Sequence, residues 1–372
     1  MKLSFGMPLA PCLGLRGVPL GGLEVAKVYQ SLMAKLSPET LPKTLMGLNL
    51  LALEDRLLEG EELRGGRADE ELLMASERYM RLATAAYGRV ALRPGLVGVS
   101  EQNFVELLCR HVGDLELHKV SVPHAQLRAR WLLPAHYVLL DRQRRELVVA
   151  VRGTLSVPDV LTDLGAEEVD LFLGGKAGLK SSEAPRIKLW CLQAHKNMLQ
   201  SACNVLRTIQ PLLEELLSEV ERITFTGHSL GGGVAAYLAM LLPELLVSQH
   251  QVRCFSFGAP GTCCAAVSRS LRPRVVSYCH AEDVVPRLST GHLLELHARA
   301  VRAPSAGHEA SKLYPAGRCV LLRSDGAWEL EPEELAPRIE LSAGRRMVLD
   351  HLPRSYEQVM KAAADVAHRS RL

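Results

Sequence analysis

The run ITFTGHSLGGGVAAYLAMLL, residues 223–242, limits what this chain can fold into more than any other segment. From Thr224 to Pro243 no residue is charged apart from a protonatable His228, and the length suffices for a membrane helix. Its first five residues, ITFTG, instead have the β-branched and aromatic pattern of a buried strand, whereas LGGGVAAYLAMLL has helical composition. At the junction, Gly227-His228-Ser229-Leu230-Gly231 is a G-x-S-x-G turn. A strand bending abruptly into a helix forces its serine into a strained backbone, and side chains at the flanking positions would collide, so glycine occupies them. The corner lifts the Ser229 hydroxyl above a sheet and aims the first helical amides at any oxyanion forming beside it. A membrane helix would have to absorb Gly227, Gly231, Gly232 and Gly233 in its first half, at a cost in helix propensity.

The surrounding pattern predicts the sheet. Short β-rich runs, HYVLLD and ELVVAVRGT, precede a long helix expected over 186–219, then ITFTG. A helix over 230–246, strand VRCFSFG, a helix over 262–271 and strands RVVSYCH and CVLLR follow. Such alternation implies an α/β fold with a mainly parallel central sheet flanked by helices. Near-continuous apolar strands such as LVVAV fit burial on both faces. Upstream, residues 24–64 read as two amphipathic helices, and LLMASERYMRLATAAYG as a helix ending at Gly88. The expected division is an N-terminal helical extension over 1–71 and the main domain over 72–372.

Composition narrows the classes. Forty-four Lys and Arg against forty-one Asp and Glu leave a formal charge of +3, too small to argue for nucleic acid as a partner. A basic group, Arg142, Arg144 and Arg145 with Arg128 and Arg130 near them, has two readings: a contact for an anionic lipid surface or a solvated hairpin. Nine cysteines without CxxC pairs favour reduced thiols and a cytoplasmic setting over a disulfide framework. Prolines, glycines and Arg16 interrupt every apolar run in the first 25 residues, so no signal-peptide core emerges. No apolar run upstream of residue 135 has the length of a membrane span, and no metal-ligand spacing appears.

A serine needs a base to become nucleophilic, so the corner predicts two further residues in the order Ser, then Asp or Glu, then His. In HAEDVVPRLS, residues 280–289, Asp283 follows the strand RVVSYCH at the end where parallel sheets carry functional groups, with Glu282 as its rival. In VLDHLPRSYEQVM, His351 lies just before Pro353, which opens a terminal helix. His280, His292, His297 and His308 also follow the serine, and position alone does not choose among the five.

Together these segments resemble the class 3 lipase family, and within it the catalytic domain of diacylglycerol lipases. VVAVRGTLSVPDVLTDL at 148–164, AHKNML at 194–199, GHSLGGGVAA, FSFGAPG, EDVVPRL, LYPAGR and DHLPRSY follow in the family's order, and matching pieces run from about 75 to 362. The resemblance implies an α/β-hydrolase fold, Ser229 as nucleophile, Asp283 as the carboxylate and His351 as the base. It maps the oxyanion hole onto Thr154 and the backbone N–H of Leu230, and a lid onto residues 165–185, with Asp159 and Asp163 anchoring a short helix. It implies no cofactor and no metal. The expected partners are an acyl glycerolipid substrate and a lipid or membrane surface, met peripherally by a cytoplasmic enzyme on membranes or lipid droplets. Asn197 departs from the glycine common in the family. The implied reaction is hydrolysis of an acyl ester of diacylglycerol; a phospholipase A1 or galactolipase would use the same three residues, and a silent hydrolase fold serving as a lipid-binding module is the reading from another class.

Overall fold

Along β3 and β4 successive side chains enter opposite cores, because neighbouring residues of a strand point to opposite faces. Val138, Leu140, Leu147, Val149 and Val151 join one core, and Tyr137, Leu139, Val148 and Ala150 the other. The computed structural model describes residues 65–88, 101–154, 168–171, 192–242, 244–283, 285–287, 289, 291–292, 312–335 and 349–370. The N-terminal helices expected over 24–64, and Asp159 and Asp163, lie outside these residues, as does the expected lid over 165–185 apart from 168–171.

In chain order the elements are β1 (Gly66–Arg67), α1 (Glu70–Ala85), α2 (Glu101–Val112), β2 (Val120–Gln126), β3 (His136–Asp141), β4 (Glu146–Val151), β5 (Glu168–Leu171), β6 (Leu192–His195), α3 (Lys196–Leu216), β7 (Arg222–His228), α4 (Leu230–Leu241), α5 (Glu244–Gln249), β8 (Gln251–Phe257), α6 (Ala265–Ser270), β9 (Val275–His280), β10 (Arg318–Arg323), β11 (Gly326–Leu330), α7 (Pro332–Leu335) and α8 (Pro353–Ser370). Nine strands form one sheet in the order β1-β11-β10-β9-β8-β7-β4-β3-β2, and β5 with β6 forms a separate antiparallel ribbon. The middle of the large sheet, β4-β7-β8-β9-β10, is parallel, while both margins are antiparallel. The fold class is therefore α/β with the α/β-hydrolase arrangement: a mainly parallel sheet covered by helices on both faces.

One core holds α3, α4 and α6 against the sheet; the other holds α1, α2 and α8. Helix α4 is apolar around most of its circumference, and Gly231 through Met240 are buried. It lies between the sheet and α3, a position that requires a helix without a polar face. Each fully buried Leu or Val there contributes about 1.5–3 kcal/mol of transfer free energy. Helix α1 starts where Asp69 caps the amides of Glu71 and Leu72. The sheet margins are protected: β1 is two residues long, and β2 carries Pro123 at a register irregularity, where a missing N–H costs no ladder bond.

Several boundaries differ from the sequence reading. The long helix runs over Lys196–Leu216 because Leu192–His195 pairs with β5 and Leu217–Glu219 tightens to a 3-10 turn. The helix expected over 230–246 is two helices, since Leu242, the residue before Pro243, adopts extended backbone. Helix α6 starts at Ala265, because Cys263 bridges to Tyr314. Gly66–Arg67 pairs with β11, so the sheet recruits chain upstream of residue 72. The basic group divides in two: Arg128 and Arg130 sit in the β2–β3 turn, and Arg142, Arg144 and Arg145 in the β3–β4 turn. The six residues of β3 separate the two turns by roughly 17 Å. Among the described residues no helix is long and apolar enough to cross a membrane. The described cysteines are free thiols, and burial pushes the Cys263 thiol up to about 12 and Cys279 up to about 11.

Candidate active site

Strand β7 ends at His228 and α4 begins at Leu230, so Ser229 makes the whole turn, with φ 59° and ψ −134°. Holding a non-glycine residue there costs about 1–3 kcal/mol, and the surroundings must impose it. Part of the constraint is the Ser229 N–H, which donates to the Phe257 carbonyl of the neighbouring strand at 2.8 Å. The flanking glycines answer the steric argument directly. A Cβ on Gly227 would stand 2.2 Å from the Gly231 carbonyl oxygen, and one on Gly231 would stand 2.3 Å from the Val151 carbonyl oxygen.

Asp283 follows β9 and His351 lies two residues before α8, and the two meet over the end of β7. His351 Nε2 is 2.9 Å from Ser229 Oγ, and His351 Nδ1 is 3.0 Å from both carboxylate oxygens of Asp283. Ser229, Asp283 and His351 are 1%, 0% and 3% exposed, so solvent competes little for these bonds. The carboxylate is held independently. Val285 N–H donates to Oδ1 at 2.9 Å and Tyr356 OH donates to Oδ2 at 2.7 Å. Burial and the adjacent Asp283 hold the Tyr356 phenol well above its ordinary value, so it stays protonated and serves as a donor.

The rivals left open by the sequence lie elsewhere. It is Asp283 that contacts His351 Nδ1, while the Glu282 backbone N–H donates to Asp350 Oδ2 at 3.2 Å. His280 is bonded through Nδ1 to the Asp350 carbonyl, and His292 through Nδ1 to Ser289. His297 and His308 lie outside the described residues. Thr154 lies three residues past β4 and is half-buried; a Cβ on the adjoining Gly153 would be 2.8 Å from Ser229 Cβ. Leu230 is the first residue of α4, where backbone N–H groups have no acceptor within the helix.

Three residues at this site, His228, Tyr87 and Tyr356, receive no role from the sequence reading. His228 Nε2 is 2.8 Å from the His351 carbonyl, which can only accept, so Nε2 carries the proton. Burial holds His228 well below the ordinary imidazole value, and the ring is neutral. Its Nδ1 must then accept, and Tyr87 OH donates to it at 2.8 Å. Neutral hydrogen bonds thus connect the end of α1 to the backbone of His351. His228 occupies a variable position of the G-x-S-x-G turn, Tyr356 ends the DHLPRSY run and Tyr87 lies far upstream; spacing marks none of them.

This arrangement can raise the nucleophilicity of one hydroxyl, accept its proton and neutralise the imidazolium so formed. Comparison with known proteins bears on the family. Residues 148–292 match the model of the lipase (class 3) family. The chain is 36% identical over 170 residues to mouse diacylglycerol lipase-beta, covering 44% of this chain and 23% of that protein. It is 26% identical over 196 residues to human diacylglycerol lipase-alpha, covering 50% of this chain and 17% of the relative. The matched region thus spans less than a quarter of either relative's length. Among solved structures, lipase II from Rhizopus niveus superposes with a TM-score of 0.51 at 19% identity, over 77% of this chain and 95% of the other, a likeness of fold. The likeness to the class 3 lipase family, a family of carboxylic ester hydrolases, thus rests on residues 148–292, the segment that carries β7, Ser229 and Asp283.

Proposed function

We propose that this chain is a serine lipase that hydrolyses an acyl ester of diacylglycerol, of sn-1 type, to a monoacylglycerol and a free fatty acid, with Ser229, His351 and Asp283 as its catalytic residues. The observation that carries the reading is His351, whose two ring nitrogens contact Ser229 Oγ at 2.9 Å and the Asp283 carboxylate at 3.0 Å. In the proposed reaction His351 Nε2 removes the Ser229 proton as Oγ attacks the ester carbonyl carbon, and Asp283 stabilises the resulting imidazolium. The oxyanion is held by the Leu230 amide and by Thr154; loss of one such donor typically costs about 3 kcal/mol of transition-state stabilisation. The imidazolium returns its proton to the departing glycerol oxygen. Water, deprotonated by the same imidazole, then cleaves the acyl-enzyme.

Fluorophosphonate labelling separates an enzyme from a silent fold: the native chain is labelled in the presence of lipid, Ser229→Ala is not, and a distant Ser248→Ala control is. Absence of labelling in the native chain would sink the proposal. Substrate choice is tested by incubating a mixed lipid extract with the native chain and with Ser229→Ala. Diacylglycerol should fall only with the native chain; loss of phospholipid or galactolipid with diacylglycerol untouched would replace the substrate and keep the chemistry.

A further inference from the structure

The turn between β2 and β3 lies at the same end of the sheet as Ser229. His136, which opens β3, pairs with Val151, the last residue of β4, and Val151 in turn pairs with Gly227 just before the serine corner. The turn is short and tied down. Arg130 and Leu133 exchange two backbone hydrogen bonds of 2.9 and 3.0 Å, and Asn204 of α3 holds the Leu132 carbonyl at 2.9 Å. Leu132 has φ 51°, a left-handed conformation that a branched side chain adopts only under constraint. The consequence of this construction is that Trp131 stands outward, 61% exposed, between Arg130 and Leu132. Arg128 and Arg130 are also exposed, and neither has a carboxylate within ion-pair distance among the described residues.

The other exposed apolar side chains sharpen the picture. Of the five large hydrophobic residues that are exposed among those described, Leu349 and Leu352 flank His351, and so belong with Trp131 at the catalytic end. An indole held out by a rigid turn, with two guanidiniums beside it that face no carboxylate among the described residues and further leucines around His351, matches the layering of a bilayer surface. Indole rings favour the headgroup level, arginine pairs with lipid phosphate and carboxylate groups, and leucine favours the acyl boundary. A water-facing turn gains nothing from a fixed tryptophan at its tip.

We propose that the β2–β3 turn, through Trp131, Arg128 and Arg130, is the element that docks this chain onto an anionic lipid bilayer and brings the Ser229 end of the sheet against it. The choice of a bilayer as occupant rests on the lipid-hydrolase reading, and the turn goes beyond that reading by naming the surface and its lipid preference. Guanidiniums at a bilayer surface act on its negative potential, so binding requires anionic lipid and weakens with salt. The opposite turn is the internal control: Arg142, Arg144 and Arg145 are equally exposed, yet each faces a carboxylate.

The test uses the full chain with Ser229→Ala, so that vesicles are not consumed, and measures co-sedimentation with phosphatidylcholine vesicles containing about one-third phosphatidylserine, against vesicles of phosphatidylcholine alone. The expected result is binding to the anionic vesicles with a blue shift of tryptophan emission that Trp131→Ala abolishes. Arg128→Glu with Arg130→Glu should weaken binding at least about tenfold. Arg142→Glu with Arg145→Glu should leave it unchanged. On a background with Ser229 intact, the turn variants should hydrolyse a water-soluble short-chain ester at the native rate, which verifies folding. Equal binding by the Arg128/Arg130 variant, equal loss in the Arg142/Arg145 variant, or equal affinity of the native turn for neutral vesicles would each overturn the proposal. Because binding is read with hydrolysis silenced, a failure of lipid turnover would count against the lipase reading and leave this result standing.

Discussion

Where β7 begins, Arg78 meets Asp114, Asp141 and Glu146, at 3.0, 2.6 and 3.2 Å; where β7 ends, Ser229, His351, Asp283, Tyr356, His228 and Tyr87 form a chain of contacts in which most members are neutral. At the first end charge is balanced by charge. Buried Glu146 also accepts bonds from Tyr79 and Thr224, leaving little of its desolvation cost uncompensated. At the second end the one buried carboxylate is satisfied by donors that also aim it, and the imidazoles around it keep a defined tautomer. The contrast extends to the two turns, one with paired arginines and the other with a tryptophan and arginines that face no carboxylate among the described residues. One end of the sheet is built to stay folded. The other holds a serine in strained backbone and leaves apolar surface in water, both of which cost stability and neither of which packing explains.

The largest effect expected from breaking this contrast is on turnover. Ser229→Ala should lower ester hydrolysis by at least about 10⁴-fold while the urea midpoint stays where it is. Steady-state rates on a short-chain ester and an unfolding curve check both halves, and retained turnover would remove the distinction between the ends. Arg78→Met should do the reverse. It leaves Glu146 buried without its cation and Asp141 with only the more exposed Arg144 at 3.6 Å, so about 3–5 kcal/mol of stability is lost, with the rate per folded molecule unchanged; urea titration with an active-site label distinguishes the two.

Acid should strike the Ser229 end next. Burial first of all lowers the His136 imidazole to about 4, with its neighbour His124, 3.2 Å away, acting in the same direction. The unfolded chain then binds a proton that the folded chain refuses between about pH 6.5 and 4, so stability falls as pH falls through that window. The loss reaches about 3 kcal/mol for His136, and buried His228 adds in the same sense. His136→Asn should flatten the dependence of unfolding free energy between pH 7 and 4.5; an unchanged slope would assign it to other groups. Tyr356→Phe removes one donor from Asp283 and should reduce kcat about tenfold with KM unchanged, whereas a purely structural role would leave kcat per folded molecule intact. The smallest effect is expected at the paired turn. Arg145→Gln breaks a solvent-exposed bridge to Glu221 and should change stability by less than about 1 kcal/mol.

The corner at Ser229 is legible in the sequence because its steric requirement is local: a sharp strand-to-helix turn excludes side chains at two defined positions, and Gly227 and Gly231 stand there. The buried strands β4 and β7 and the apolar helix α4 are legible for a similar reason, since burial on both faces leaves no polar alternation. Element ends are less so. Leu192–His195 reads as helix until β5 is available to pair with it, and Gly66–Arg67 reads as a break until β11 lies alongside. Arg128 and Arg142 look like neighbours along the chain, yet a six-residue strand carries them to opposite ends of the sheet.

For the candidate site, residue spacing narrows the carboxylate to Asp283 or Glu282 and leaves five histidines. Resemblance chooses among them, but neither spacing nor resemblance supplies the contacts. Ser229 and His351 are 122 residues apart, and their 2.9 Å approach depends on how β7, β9 and α8 converge. The same holds for Tyr87, which reaches His228 across 141 residues, and for Tyr356, which reaches Asp283 across 73. Backbone sterics and hydrophobic periodicity act over a few residues, so the chain alone carries the serine corner, the parallel sheet and the class of its helices. Hydrogen-bond partners, the neutrality of His228 and the exposure of Trp131 depend on what long-range packing brings near and what it shuts away from water, so they exist only once the chain has folded.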